Sequence, residues 1–173
     1  MQFPKSELEN LWAPWRAEYF EGKIDSRDFL SKAAQAQDDA AHLVLSRGPH
    51  CFLIMNRYPY TVGHLMVAPL RKVAEIGGLH PDEIQDLFAL LTHAQNVLRA
   101  TLKAQGFNIG INVGECAGAG VPDHLHVHVV PRWEGDTNFM PMLSGPRVLS
   151  ESLAALYGRL LAAQRTLPAH PNP

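Results

Sequence analysis

The segment His124-Leu125-His126-Val127-His128-Val129-Val130 constrains the fold more than any other part of the chain. Three histidines alternate with apolar residues, and a period of two is the strand period. A strand would put the three imidazoles on one face and Leu125, Val127 and Val129 on the other. A helix would scatter them, because a step of two residues turns by roughly 200°. The apolar side predicts core, and the histidine side predicts the floor of a site. Each step of two advances about 6.6 Å along a strand, so the outer imidazoles sit roughly 13 Å apart at their roots. A row of that length suits an extended anion such as a polyphosphate. The competing reading is a metal. Two histidines at i and i+2 can converge on one zinc ion, with further ligands drawn from elsewhere to complete a tetrahedron. Neutral imidazole near pH 7 can act as nucleophile, acid or hydrogen-bond donor.

The loop that feeds this segment is Gly114-Glu115-Cys116-Ala117-Gly118-Ala119-Gly120-Val121-Pro122-Asp123. Glycines let successive backbone N–H groups turn toward an anion. No GxGxxG or Walker pattern opens a helix here, which excludes the Rossmann and P-loop ways of holding phosphate.

Upstream, Leu43–Leu45, Cys51–Asn56, His64–Ala68 and Phe107–Val113 read as strands of an antiparallel meander. Asp25 or Ser26 is a candidate cap for a helix running to about Ala41, with Phe29 and Leu30 inward. Pro81 opens the clearest helix. Ile84, Leu87, Phe88, Leu91, Ala94, Leu98 and Leu102 form its apolar stripe, and Gly106 is the expected stop. Pro131-Arg132 begins an irregular connection, in which Arg132 either meets a phosphate or stays in solvent. Ser150 or Ser152 caps a last helix carrying Leu153, Leu156, Tyr157, Leu160 and Leu161 on one side.

The 173 residues fit one domain over 1–173. An aromatic arm over about 1–24, containing Leu11-Trp12-Ala13-Pro14-Trp15-Arg16, should pack on the body or on a second subunit. The tail over about 167–173 should be loose. A net charge of −2 argues against wholesale nucleic-acid binding. No apolar run reaches the roughly 18 residues of a membrane span, and Met1–Arg16 lacks the pattern of a secretory signal. Cys51 and Cys116 form no CxxC pair, so a reduced, cytoplasmic protein is expected, with both cysteines as small buried hydrophobes.

The triad segment resembles that of the histidine triad (HIT) family. Asn56 and His64 in "NRYPYTVGHLMVAP", Asn112 with the glycine loop, and Pro131-Arg132 match the surrounding family pattern. "LWAPWRAEYF" and "VPRWEGDTNFMP" look like a bacterial branch that includes diadenosine tetraphosphate (Ap4A) phosphorylases and dinucleoside polyphosphate hydrolases. The resemblance implies an α+β fold: an antiparallel sheet of about five strands, a long helix, flanking N- and C-terminal helices, and a homodimer.

It also implies an enzyme, a nucleotidyl hydrolase or transferase cleaving dinucleoside polyphosphates. His126 would be the nucleophile, forming a nucleotidyl-histidine intermediate. His124 and His128 would flank it, orienting the ring and contacting phosphate or leaving group. His64 would support the triad, Asn56 would hold the ribose, and Asn112 with Gly118, Ala119 and Gly120 would serve the phosphate side. No cofactor is implied beyond a divalent ion accompanying the polyphosphate, and no site residue is a metal ligand. One departure stands out. Many relatives carry a glutamine or hydroxyl residue where Ala119 and Gly120 lie, so backbone N–H groups would have to replace that side chain. Water as second acceptor gives a hydrolase, and phosphate gives a phosphorylase. The alternatives are a nucleotide-binding regulator with residual activity and a histidine-ligated metal protein.

Overall fold

The computed structural model describes residues 28–136 and 151–167. The aromatic arm, the cap candidates Asp25, Ser26 and Ser150, and the tail beyond residue 167 lie outside the described residues. Five strands form one antiparallel sheet: β1 (Val44–Arg47), β2 (Cys51–Met55), β3 (Leu65–Pro69), β4 (Gly106–Ile111) and β5 (Val127–Arg132). Their order in space is β1-β2-β3-β5-β4. Among the described residues the α-helices are α1 (Phe29–Gln35), α2 (Asp39–His42), α3 (Pro81–Leu102) and α4 (Leu153–Gln164).

The central strands β2 and β3 are buried on both faces. Cys51, Leu53, Met55, Leu65, Val67, Val127 and Val129 pack against Leu87, Leu90, Leu91, Ala94, Val97 and Leu98 of α3, with Leu156, Tyr157 and Leu160 of α4. Phe52, Ile54, Met66 and Ala68 form a second cluster on the opposite face, with Leu30 and Ala33 of α1. Each fully buried Leu or Phe contributes roughly 1.5–3 kcal/mol, so α3 is the main support of the sheet. His128 pairs with Met66, which puts its ring on the α1 face, away from α3.

Several expectations are corrected. The helix predicted to reach Ala41 breaks after Gln35, and Asp38 caps a separate turn by accepting from the Ala41 amide at 3.1 Å. Of the α3 stripe, Leu87, Leu91, Ala94 and Leu98 are buried as expected, but Ile84 and Phe88 are 41% and 64% exposed, while Glu83 and Asp86 are buried. The cause is polar. Glu83 accepts from Arg71 and from the His80 amide, and Asp86 accepts from the His50 and Cys51 amides. These bonds hold Glu83 and Asp86 inward and leave Ile84 and Phe88 on the outer side. Lys103, left-handed at φ 55°, ends α3 instead of Gly106, which opens β4 opposite Arg132. Pro131 and Arg132 belong to β5, not to an irregular connection. Cys116 is exposed, whereas Cys51 is buried. The final helix matches expectation, with Ser152 accepting from the Ala155 amide.

Candidate active site

β5 begins at Val127, so only His128 of the three histidines is in the strand. His124 closes a turn at Val121–His124, and His126 immediately precedes the strand. The alternation still sorts the residues: Leu125, Val127 and Val129 are buried, and the rings of His126 and His128 stand 4.8 Å apart, edge to face.

Hydrogen bonds assign the tautomers. His126 Nδ1 lies 2.9 Å from the carbonyl oxygen of His124, so Nδ1 carries the proton and Nε2 keeps its lone pair. His64 Nδ1 faces two donors, the Tyr60 amide at 3.1 Å and the Asn56 side-chain amide at 3.2 Å. Its proton is therefore on Nε2, which donates to His128 Nδ1 at 3.0 Å. His128 is left with its own proton on Nε2. One histidine of the pair offers a lone pair, and the other offers an N–H.

His124 differs from expectation. It is fully buried, its Nε2–H donates to the Pro69 carbonyl at 2.8 Å, and its Nδ1 meets the Ser31 hydroxyl at 3.1 Å. Neither ring nitrogen is left for a phosphate. Its backbone carbonyl orients His126.

Burial lowers the pKa of all three triad histidines. For His124 and His126 it is the leading cause, and for His128 burial and then the neighbouring His126 push the value down to about 4. With their pKa values held below 6.5, the three rings are neutral at pH 7.

His126 and His128 line a cleft of about 60 Å³ with Asn56, Tyr58, Tyr60, Phe29, Met66, Gly118 and Gly120. Phe29 and Tyr58 continue into a second recess of about 200 Å³, whose wall includes Lys32, His42 and Arg57. Asn56 accepts from the Tyr58 amide at 2.8 Å, so the residue that reaches the cleft also braces its loop. Asn112 does not line the cleft; its side chain donates to the Gly118 carbonyl at 3.4 Å. Ala119 is buried. The Gly118 and Ala119 amides bond to Glu115 and Gly114, which leaves Gly120 and Val121 as the other loop residues at the cleft. Arg132 pairs with Asp136 and Asn108. Among the described residues no group of three or more His, Cys, Asp or Glu side chains is placed to hold a metal ion.

Sequence reasoning missed Tyr58 and Tyr60 as walls of the cleft, and Ser31 entirely. The Tyr60 ring lies 4.6 Å from that of His64 and 5.7 Å from that of His128. Its place midway between Asn56 and His64 was a usable signal, because a loop that joins two site residues must pass the site.

A model of the HIT domain matches residues 37–135, more than half of the chain. The chain belongs to the HIT family. A relative named AP-4-A phosphorylase, from Mycobacterium tuberculosis, is 39% identical over 168 residues, covering 92% of this chain and 86% of that protein. A bis(5'-nucleosyl)-tetraphosphatase (asymmetrical) from Schizosaccharomyces pombe is 36% identical over 104 residues, covering 60% of this chain and 57% of its own length. The crystal structure of a Zn-bound histidine triad family protein from Mycobacterium smegmatis superimposes with a TM-score of 0.60 at 28% identity, covering 72% of this HIT chain and 84% of that one.

Proposed function

We propose that this HIT protein cleaves dinucleoside polyphosphates such as Ap4A through a nucleotide carried on His126, with inorganic phosphate as the acceptor. The observation that carries the reading is His126 itself. It lines the cleft with Nδ1 tied to a carbonyl, so the other nitrogen is left with its lone pair. Likeness to the mycobacterial phosphorylase across nearly the whole chain supports phosphate over water.

The His126 Nε2 lone pair attacks the α-phosphorus, forming a P–N bond as the bridging P–O bond breaks. The departing nucleoside polyphosphate keeps the electron pair of that bond, and the His128 Nε2–H stabilises the oxygen that receives it. The adduct places positive charge on the His126 ring, where the His124 carbonyl on Nδ1–H offsets it. A phosphate oxygen then attacks the same phosphorus, the P–N bond breaks, and the lone pair returns to Nε2. Such transfer depends on positioning and charge stabilisation more than on covalent machinery. His64 holds His128 in its donor form, Gly120 offers its amide to phosphate, Asn56 reaches the ribose, and Phe29 and Tyr58 flank the base. Asn112 serves the phosphate side through its hold on Gly118.

The same reading includes a homodimer. β4 is an edge of the sheet and exposes Ile109 and Ile111; long apolar edges are normally covered. Two unpaired cysteines fit a cytoplasmic setting. Among the described residues no helix is long and apolar enough to cross a membrane.

Incubation with Ap4A, with and without phosphate, tests the function. ADP and ATP formed only with phosphate supports phosphorolysis. AMP and ATP in either condition moves the reading to a hydrolase, and no turnover overturns it.

A further inference from the structure

Ser31 lies on α1, 93 residues before His124, yet its hydroxyl is 3.1 Å from His124 Nδ1. The Pro69 carbonyl can only accept, so the His124 proton is on Nε2 and Nδ1 is a lone pair inside the protein. A buried acceptor of this kind needs a donor. Among the described residues the Ser31 hydroxyl is the donor given to it. His124 then passes its position on: its backbone carbonyl fixes the His126 ring at 2.9 Å. A second tie runs in parallel. Lys72 pairs with Asp123 at 2.6 Å, next to His124, and reaches Asp28 at the start of α1 at 3.9 Å.

We propose that Ser31 is a positioning residue for the reaction, holding His124 so that the His124 carbonyl keeps the His126 lone pair aimed into the cleft. It touches no substrate. Its effect is on the aim of the nucleophile, so it acts on the chemical step and leaves substrate affinity in place. The inference rests on His126 as the nucleotide carrier.

The test compares Ser31→Ala, Ser31→Val and Ser31→Thr in the full chain, with Ap4A and phosphate as substrates. Thr and Val have the same shape and differ in the hydroxyl. The expected result is a kcat lowered about tenfold to a hundredfold in Ala and Val, the scale set by sub-ångström to 1 Å misplacement. KM should stay within about twofold, Thr should recover most of kcat, and the rate of nucleotide transfer to His126 should fall in step with kcat. Val and Thr enzymes with equal kcat per folded molecule would overturn the proposal. A wild-type enzyme that turns over without a nucleotide on His126 removes its foundation, a separate failure visible in the same adduct measurement. Should Ala and Val fail to fold, nitrogen-15 spectra of the wild-type histidines decide the matter. His124 protonated on Nε2 with a hydrogen-bonded Nδ1 supports it, and a proton on Nδ1 overturns it.

Discussion

His64 Nε2 lies 3.0 Å from His128 Nδ1, and this bond decides which nitrogen His128 turns to the cleft. The Tyr60 amide on the far side of the His64 ring fixes the direction of the proton. His64→Ala should therefore lower kcat by about ten- to a hundredfold, less than the roughly 10³-fold expected for His126→Ala. His64→Gln keeps an N–H that reaches His128 and should fall between Ala and wild type. Steady-state kinetics, scaled by the folded fraction from circular dichroism, checks the order.

The pH response has a definite sign. Burial holds the His126 pKa below 6.5, so the ring is neutral at pH 7, and with His126 as the proposed nucleophile the acid limb of kcat/KM should lie below 6.5. Stability moves the same way. The His128 pKa is about 4 in the fold against 6.5 unfolded, so the unfolded chain takes up its proton first as pH falls. The His128 contribution is complete above about pH 6.5, shrinks below it, and is lost near pH 4. At 1.36 kcal/mol per pKa unit the ceiling is about 3 kcal/mol, reduced because His128 is only partly buried. Urea unfolding at pH 7.5, 6 and 5 checks it.

Gly63 has φ +78°, and a Cβ there would come within 2.5 Å of Leu102 Cδ1 and 3.0 Å of Leu98 Cδ2. Left-handed backbone costs a side chain about 1–2 kcal/mol and overpacking costs about 1–3 more. Gly63→Ala should thus destabilise by about 2–5 kcal/mol, seen as a lower urea midpoint at unchanged slope.

Much of the fold was legible because the sheet's sequence signals are local. CFLIM and HLMVA are short apolar runs between turn residues, and Pro81 with Asp82 and Glu83 announces α3. That Glu83 and Asp86 turn inward at the start of α3 was not legible, since it depends on Arg71 and the His50 and Cys51 amides capturing them. The triad stood out, but a strand extrapolated back to His124 hid that residue's role. Whether a histidine serves the cleft or the core depends on where its nitrogens find partners, and those of His124 come from Ser31 and Pro69, 93 and 55 residues away. The glycine loop misled for the same reason: its turn consumes the amides of Gly118 and Ala119 that composition alone offered to a phosphate.

The exposed β4 edge predicts an oligomer. Ile109 and Ile111 are 44% and 37% exposed on a strand that, among the described residues, has no strand on its outer side. Ile109→Lys with Ile111→Lys places charge along that edge and should drive sedimentation mass from twice the 19.1 kDa chain to once. A wild-type chain that already sediments as a monomer contradicts the dimer.

The most direct test traps the adduct. The enzyme is mixed with Ap4A without phosphate, quenched in base within the first turnover, digested and weighed by mass spectrometry. An adenylyl group on the peptide carrying His126, absent in His126→Ala and discharged as ADP when phosphate is added, is the predicted result. Rapid turnover with that peptide unmodified, or an adenylyl group on another residue, would contradict the account.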